Sequence, residues 1–72
     1  APTIARLDEA LDATDRAIAL NPSAADAHSN RGIALAQLGR RDEARLAFEA
    51  ALRLDPRHVS ARQNLAAINR PY

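Results

Sequence analysis

Apolar and polar residues follow one another along the chain with the three- and four-residue steps of an amphipathic α-helix. The pattern is clearest over residues 41–54, where one face is apolar and carries Ala44, Phe48, Ala51, Leu52 and Leu54. Arg45, Glu49 and Arg53 follow at four-residue steps on the other side, where alternating charges stabilise a helix by about 0.2–0.5 kcal/mol per pair. This segment is therefore predicted to be a helix with one buried and one solvated face.

Helix-breaking residues divide the chain into four such segments. Pro22 and Pro56 lack a backbone donor and disfavour helical geometry in the residue before them, so a helix ends at Asn21 and another at Asp55. Gly39 suits the left-handed position that follows a helix C-terminus. No segment has the composition of a strand. We predict one domain, residues 1–72, with four helices at residues 3–20, 24–38, 41–54 and 57–70.

The chain also repeats itself with a 34-residue step, which carries Pro22 onto Pro56. The letters RLDEA at residues 6–10 match RRDEA at residues 40–44, and the same step carries Asn30 onto Asn64. A period of 34 with two helices per unit is typical of a helical solenoid. The short connection at residues 39–40 makes the helices of one unit antiparallel. An unrelated four-helix bundle is the alternative, but it gives no reason for the repeat.

The repeated unit resembles the tetratricopeptide repeat family. Residues 25–57 match the family's spacing at six positions: Gly32, Leu35, Ala44, Phe48, Ala51 and Pro56. Residues 38–44, with the letters LGRRDEA, resemble its inter-helix turn. The departures are His28 where Trp is usual, Arg31 where Leu is usual, and Arg41 in place of an aromatic residue.

The resemblance implies an all-α fold, a right-handed α-solenoid of antiparallel helix pairs. Its parts are a half repeat, one full repeat and a second half repeat or cap. Small residues such as Gly32 let the helix axes approach closely, and Phe48 and the leucines fill the space between them. We expect the aliphatic stem of Arg31 to pack between helices while its guanidinium reaches solvent or an acidic residue.

The resemblance also implies a binding site, because the first helices of successive units line a concave groove in such arrays. The groove residues carried over to this chain are Asp26, Ser29, Asn30, Ile33, Gln37, Ser60, Gln63 and Asn64. Asn30 and Asn64 are the main candidates, since a carboxamide can both donate to and accept from an extended peptide backbone. Family members that bind a chaperone's C-terminal carboxylate use Lys and Arg in the groove, so that role is not expected here. The alternative is a solvated polar face without a ligand.

The first helix carries a second candidate surface. Ile4, Leu7, Leu11, Thr14 and Ile18 follow steps of 3, 4, 3 and 4 and form one seam. A neighbouring alanine stripe, made of Ala10, Ala13, Ala17 and Leu20, is expected to pack on the following unit. Because the seam has no partner helix of its own, we expect a second copy of the chain or upstream sequence to cover it. This makes an assembly or dimerisation element the alternative function, and a repeat fragment of a larger multidomain protein the third.

Composition argues against catalysis. The chain has no cysteine, which excludes a thiol nucleophile, a disulfide framework and a cysteine-based zinc site. His28 and His58 lie far apart in the sequence, without the spacing of a metal site. The Asp-Glu pairs at residues 8–9 and 42–43 open helices, where negative charge complements the helix dipole. We expect neither an enzyme nor a cofactor.

The charge balance argues against nucleic acid as a partner. The chain has ten arginines and nine acidic residues, which gives a net charge of +1. The densest basic cluster, Arg40, Arg41 and Arg45, is interleaved with acids, and no exposed aromatic residue offers a base-stacking surface. No apolar run approaches the roughly 20 residues of a membrane span. The sequence therefore predicts a non-catalytic interaction module whose partner is a protein or peptide, with a homodimer as a further possibility.

Overall fold

A computed structural model describes residues 3–70, which form four α-helices and contain no strand. The helices are α1 (Ile4–Leu20), α2 (Ala25–Gln37), α3 (Arg41–Leu54) and α4 (Val59–Asn69). Every bound lies within two residues of its prediction. The predicted domain, residues 1–72, extends two residues beyond the described part at each end.

Each helix packs against its neighbours in the chain, and α2 also touches α4. The most extensive contact joins α2 and α3, the two helices of the complete repeat, and α1 touches only α2 among the described helices. α2 and α4 are thus neighbours in space although α3 separates them in sequence. This is the arrangement of a helical solenoid, and it confirms the all-α prediction.

Two kinds of turn connect the helices. After α2, the Gly39 N–H donates to Ala36 O at 3.1 Å and the Arg40 N–H donates to Leu35 O at 2.9 Å. This is a Schellman motif, and Gly39 has the positive φ of 80° that the motif needs. At the two proline turns, the side chain of residue 21 or 55 accepts a hydrogen bond from the N–H two positions later, at 3.2 and 3.1 Å. The repeated sequence therefore forms the same turn twice.

The core lies between α2 and α3 and is thin, as the alanine-rich sequence requires. Its residues are at most 5% exposed and comprise Leu35, Ala44, Ala47, Phe48, Ala51 and, from α4, Ala61. Gly32 lies directly against the Phe48 ring, and a Cβ built on Gly32 would be 2.7 Å from Phe48 Cε1. The absence of a side chain at Gly32 therefore lets the ring pack on the α2 backbone.

The prediction that the seam of α1 lacks a partner within the chain is wrong, because the seam faces α2. Leu7 is only 6% exposed, and Leu11 packs against the core cluster. Thr14 and Ile18 are half-buried, and Ile4 is the one seam residue that is exposed, at 71%. No second copy is needed to cover this surface.

The alanine stripe is the surface of α1 that is left open, contrary to the prediction that it packs on the following unit. All four of its residues are exposed, Leu20 at 89%. The 34-residue step explains this, because it carries Ala10, Ala13 and Ala17 onto Ala44, Ala47 and Ala51. Those three residues of α3 are buried in the core cluster, and α3 makes its most extensive contact with α2, the helix that precedes it. The stripe is accordingly the side of α1 that corresponds to the buried alanine face of α3.

Arg31 fills its unusual position as expected. Its side chain is 31% exposed, and its Nε donates to Asp15 Oδ1 at 2.7 Å. The guanidinium therefore links α2 to α1 while the stem is partly covered.

Candidate peptide-binding groove

α2 and α4 form the two walls of a groove that holds a surface cavity of about 480 Å³. It is lined by Ile33, Ala36, Gln37, Gly39, Arg41, Phe48, Asn64, Ala67 and Ile68. Small-molecule and peptide sites commonly have this size and combine an apolar lining with a few polar groups.

The apolar part of the cavity comes from the same residues that join the helices. Ile33 and Ile68 are half-buried and pack against the core cluster. The Phe48 ring, 1% exposed, lies beneath them. Polar groups surround this patch, namely the carboxamides of Gln37 and Asn64 on opposite walls. The groove can therefore hold an apolar side chain and, beside it, a peptide bond.

Asn64 is positioned by its own helix. Its Nδ2 donates to the Ser60 carbonyl oxygen at 2.9 Å and to Ser60 Oγ at 3.2 Å. Both donor contacts lie within α4, so the orientation of the carboxamide is set. Within residues 3–70, its Oδ1 accepts no hydrogen bond, which leaves it available to an incoming N–H donor.

A hydrogen bond between Asp26 and His58 ties α2 to α4 at the start of the two helices. His58 Nδ1 accepts from the Ala61 N–H at 3.1 Å and so caps the N-terminus of α4. Because Nδ1 accepts, Nε2 carries the hydrogen that is donated to Asp26 Oδ1 at 2.6 Å. One side chain thus starts α4 and sets its distance from α2.

Arg41 closes the other end of the groove. Its Nη2 donates to the carbonyl oxygens of Ile68 and Arg70, the latter at 3.3 Å. These carbonyls belong to the last turn of α4 and its C-cap, where a cation is favoured by the helix dipole. The sequence marked Arg41 only as part of a basic cluster and as a departure from the family pattern. Its partners lie 27 and 29 residues away, so no local pattern could identify them.

Three of the residues predicted to form the groove line the cavity: Ile33, Gln37 and Asn64. Asp26, Asn30 and Ser60 are exposed on the same sides of their helices but lie outside its lining. In addition to Arg41, the sequence-based set lacked Ile68, which lies on the same helical face four positions beyond Asn64.

Ser29 and Gln63 do not belong to the groove. Ser29 is 2% exposed and sits in the interior, where its Oγ has no hydrogen-bond partner among residues 3–70. Gln63 lines a separate cavity with Val59, Arg62 and Ala66. The reason is helical geometry, since consecutive residues point about 100° apart. Of the pairs 29/30 and 63/64, only the second members can face the groove.

Two further observations bear on the chemistry of residues 3–70. Nowhere in that range do three metal-ligating side chains come together. Nor does any of its helices combine the length and apolar character required to cross a bilayer.

The helix order defines a helical-repeat protein, and comparison with known proteins identifies the family. The sequence profile described as "Tetratricopeptide repeat" matches residues 25–58, and the profile "TPR repeat" matches residues 6–39. The chain is also 45% identical over 60 residues to the TPR repeat-containing thioredoxin TTL4 of Arabidopsis thaliana. The chain belongs to the tetratricopeptide repeat family.

The two profile matches begin at different helices. Residues 6–39 take in α1 and α2, whereas residues 25–58 take in α2 and α3. Both matches are possible because the same 34-residue period runs along the chain, so a two-helix unit can begin at α1 or at α2. The alignment with TTL4 covers 83% of this chain and 9% of that protein, so the chain spans about a tenth of the relative's length. Tetratricopeptide repeats generally mediate protein–protein interactions.

Proposed function

We propose that this chain is a non-catalytic module that binds an extended peptide segment of a protein partner in the groove between α2 and α4. The observation that carries the proposal is the cavity of about 480 Å³, whose apolar lining lies between carboxamides on its two walls.

The groove favours a particular arrangement of the peptide. A backbone N–H of the ligand donates to Asn64 Oδ1, the acceptor that α4 leaves open. An apolar side chain next to that peptide bond occupies the cavity against Ile33, Ala67 and Ile68. Gln37 on the opposite wall supplies a second carboxamide that can pair with the ligand backbone.

The charges near the groove are engaged within the chain. Asp26 accepts from His58, and the Arg41 guanidinium donates to the end of α4. Binding a charged group of the ligand would require these contacts to be exchanged. A segment with an uncharged, apolar centre is therefore the expected ligand, rather than a C-terminal carboxylate.

The test begins with peptides selected from a displayed random library against the whole chain, followed by calorimetric titration of one of them. Asn64→Ala and Gln37→Ala are each expected to weaken binding about fivefold, the equivalent of one hydrogen bond of about 1 kcal/mol. Gln63→Ala is the matched control, because it removes a carboxamide from the same helix on a face outside the groove.

Thermal melts of each variant show whether a loss of binding reflects a loss of folding. The proposal is wrong if Gln63→Ala weakens binding as much as Asn64→Ala, or if neither groove variant changes the affinity.

A further inference from the structure

One wall of the groove, α4, begins at a side chain that can change its charge. His58 Nδ1 accepts from the Ala61 N–H at 3.1 Å, and His58 Nε2 donates to Asp26 Oδ1 at 2.6 Å. The other helices start differently: the Thr3 hydroxyl caps α1, and α2 and α3 have no side-chain cap. The 34-residue step places Ala24, the N-cap of α2, at the position of His58. Among the four described helices, α4 is therefore the one whose capping side chain can titrate.

Protonation of His58 is incompatible with this cap. Because Nε2 already carries the hydrogen donated to Asp26, a second proton must enter at Nδ1, which then has no lone pair for the Ala61 N–H. Ala61 is 0% exposed, so water cannot replace the lost acceptor, and the amide would be buried without a partner. The positive end of the helix dipole also opposes a cation at an N-terminus. The protonated ring must therefore leave its capping position.

The charged groups around His58 do not reverse this balance. On α2, Asp26 attracts the imidazolium, but the Asp26 side chain is 89% exposed, so water weakens the attraction. At the C-cap of α3, Asp55 Oδ1 accepts from the Arg57 N–H. Arg62 follows His58 by four positions on α4, where a like charge disfavours the imidazolium. α1 makes no contact with α4 among the described residues.

Ser60 connects the cap to the groove. It lies in the first turn of α4, the turn that His58 caps. Its carbonyl oxygen and Oγ accept from Asn64 Nδ2 at 2.9 and 3.2 Å, and these two contacts orient the carboxamide of Asn64 in the groove. When the first turn loses its cap, the acceptors that hold Asn64 lose their fixed position. The link from His58 to α2 is disturbed in the same step, because one ring makes both contacts.

We propose that His58 makes peptide binding in the groove sensitive to pH: the neutral ring holds α4 in its binding geometry, and protonation of the ring releases the cap and lowers the affinity. Histidine is the side chain that ordinarily changes its charge between about pH 5 and 8. The groove would thus bind its peptide at neutral pH and release it in mild acid. This inference rests on the proposed function, since it concerns the regulation of the same groove.

Calorimetric titration from about pH 8 to about pH 5 tests the response in binding. The probe is a library-selected peptide with blocked ends and no ionisable side chain, so that only the protein titrates. The affinity of the wild-type chain should fall about fivefold in acid, the factor expected for one lost cap. His58→Asn supplies a capping oxygen that does not titrate, and its affinity should not change with pH.

His28→Asn is the matched control, because it removes the other histidine of the chain and should keep the wild-type response. The His28 ring donates from Nε2 to the Pro22 carbonyl oxygen at 3.0 Å and caps no helix. Circular dichroism at the lowest pH shows whether each variant is still helical.

A second readout needs no peptide. In an NMR titration of the isotope-labelled chain with acid, the Ala61 amide signal should shift in step with the ring signals of His58, and the shift should be absent in His58→Asn. A chain that binds no peptide at pH 8 refutes the proposed function, whereas an Ala61 signal that does not follow His58 refutes the release of the cap. The pH response is overturned if the wild-type affinity stays constant or rises in acid, if His58→Asn keeps the loss, or if His28→Asn abolishes it.

Discussion

Replacing Gly32 by alanine tests the packing on which the whole repeat depends. The new methyl group would lie 2.7–2.8 Å from three carbons of the Phe48 ring, against an ordinary separation of about 3.5–4.0 Å. The ring is 1% exposed and surrounded by core residues, so it has little room to retreat. Overpacking of this kind lowers the free energy of unfolding by about 1–3 kcal/mol. The better helix propensity of alanine offsets about 1 kcal/mol of that loss. We expect a net loss of about 1 kcal/mol.

The matched comparison is Ala66, which the 34-residue step pairs with Gly32 and which lies on the exposed side of α4. There Ala66→Gly loses only helix propensity, again about 1 kcal/mol. Opposite substitutions at equivalent positions should therefore both destabilise the chain. Thermal and urea unfolding measure this, since 1 kcal/mol corresponds to a shift in Tm of about 4–8 °C for a domain of this size.

The Phe48 ring itself provides the internal check. In a Phe48→Leu background the aromatic ring that a Cβ at residue 32 would meet is absent. Gly32→Ala should then become neutral or stabilising. If Gly32→Ala instead stabilises the wild-type chain by about 1 kcal/mol, propensity alone decides the outcome. The close approach of α2 and α3 would then be refuted.

Two further stability measurements address single contacts. In a double-mutant cycle of Asp26→Ala and His58→Ala, His58→Ala should cost more, because it also removes the N-cap of α4, worth about 1 kcal/mol. The coupling energy should be about 0.5–1 kcal/mol, and a coupling of zero would mean that the link between α2 and α4 contributes nothing. Ser29→Ala should stabilise the chain by about 1 kcal/mol, because it removes a buried hydroxyl that has no partner among residues 3–70 and raises helix propensity. A loss of stability in that variant would show that Ser29 Oγ is hydrogen-bonded.

The repeat made the architecture predictable. Pro22, Gly39 and Pro56 mark turns whose chemistry is local, so their hydrogen bonds follow from the residue types alone. The family spacing predicts a close helix approach at Gly32 and an interior Phe48, but only the structure shows that the two lie against each other.

What the helical period alone could not decide was which of two adjacent faces meets which neighbour. Ser29 and Asn30 are both small and polar, yet one is in the core and the other is exposed. On α1, both the seam and the alanine stripe are apolar. The 34-residue step contained the missing signal, because the counterparts of the stripe are the buried alanines of α3. The roles of Arg41 and His58 depend on contacts with residues distant in sequence, which no local pattern contains.

The central claim is that the partner lies in the groove between α2 and α4, and chemical-shift mapping by NMR tests it most directly. A selected peptide is titrated into the isotope-labelled chain, and amide, carboxamide and methyl signals are followed together. The largest shifts should fall on the cavity lining, at the Ile33 and Ile68 methyl groups and at the side-chain carboxamide of Asn64. Shifts centred instead on the outer surface of α3, where Leu46 is 64% exposed, would contradict the account.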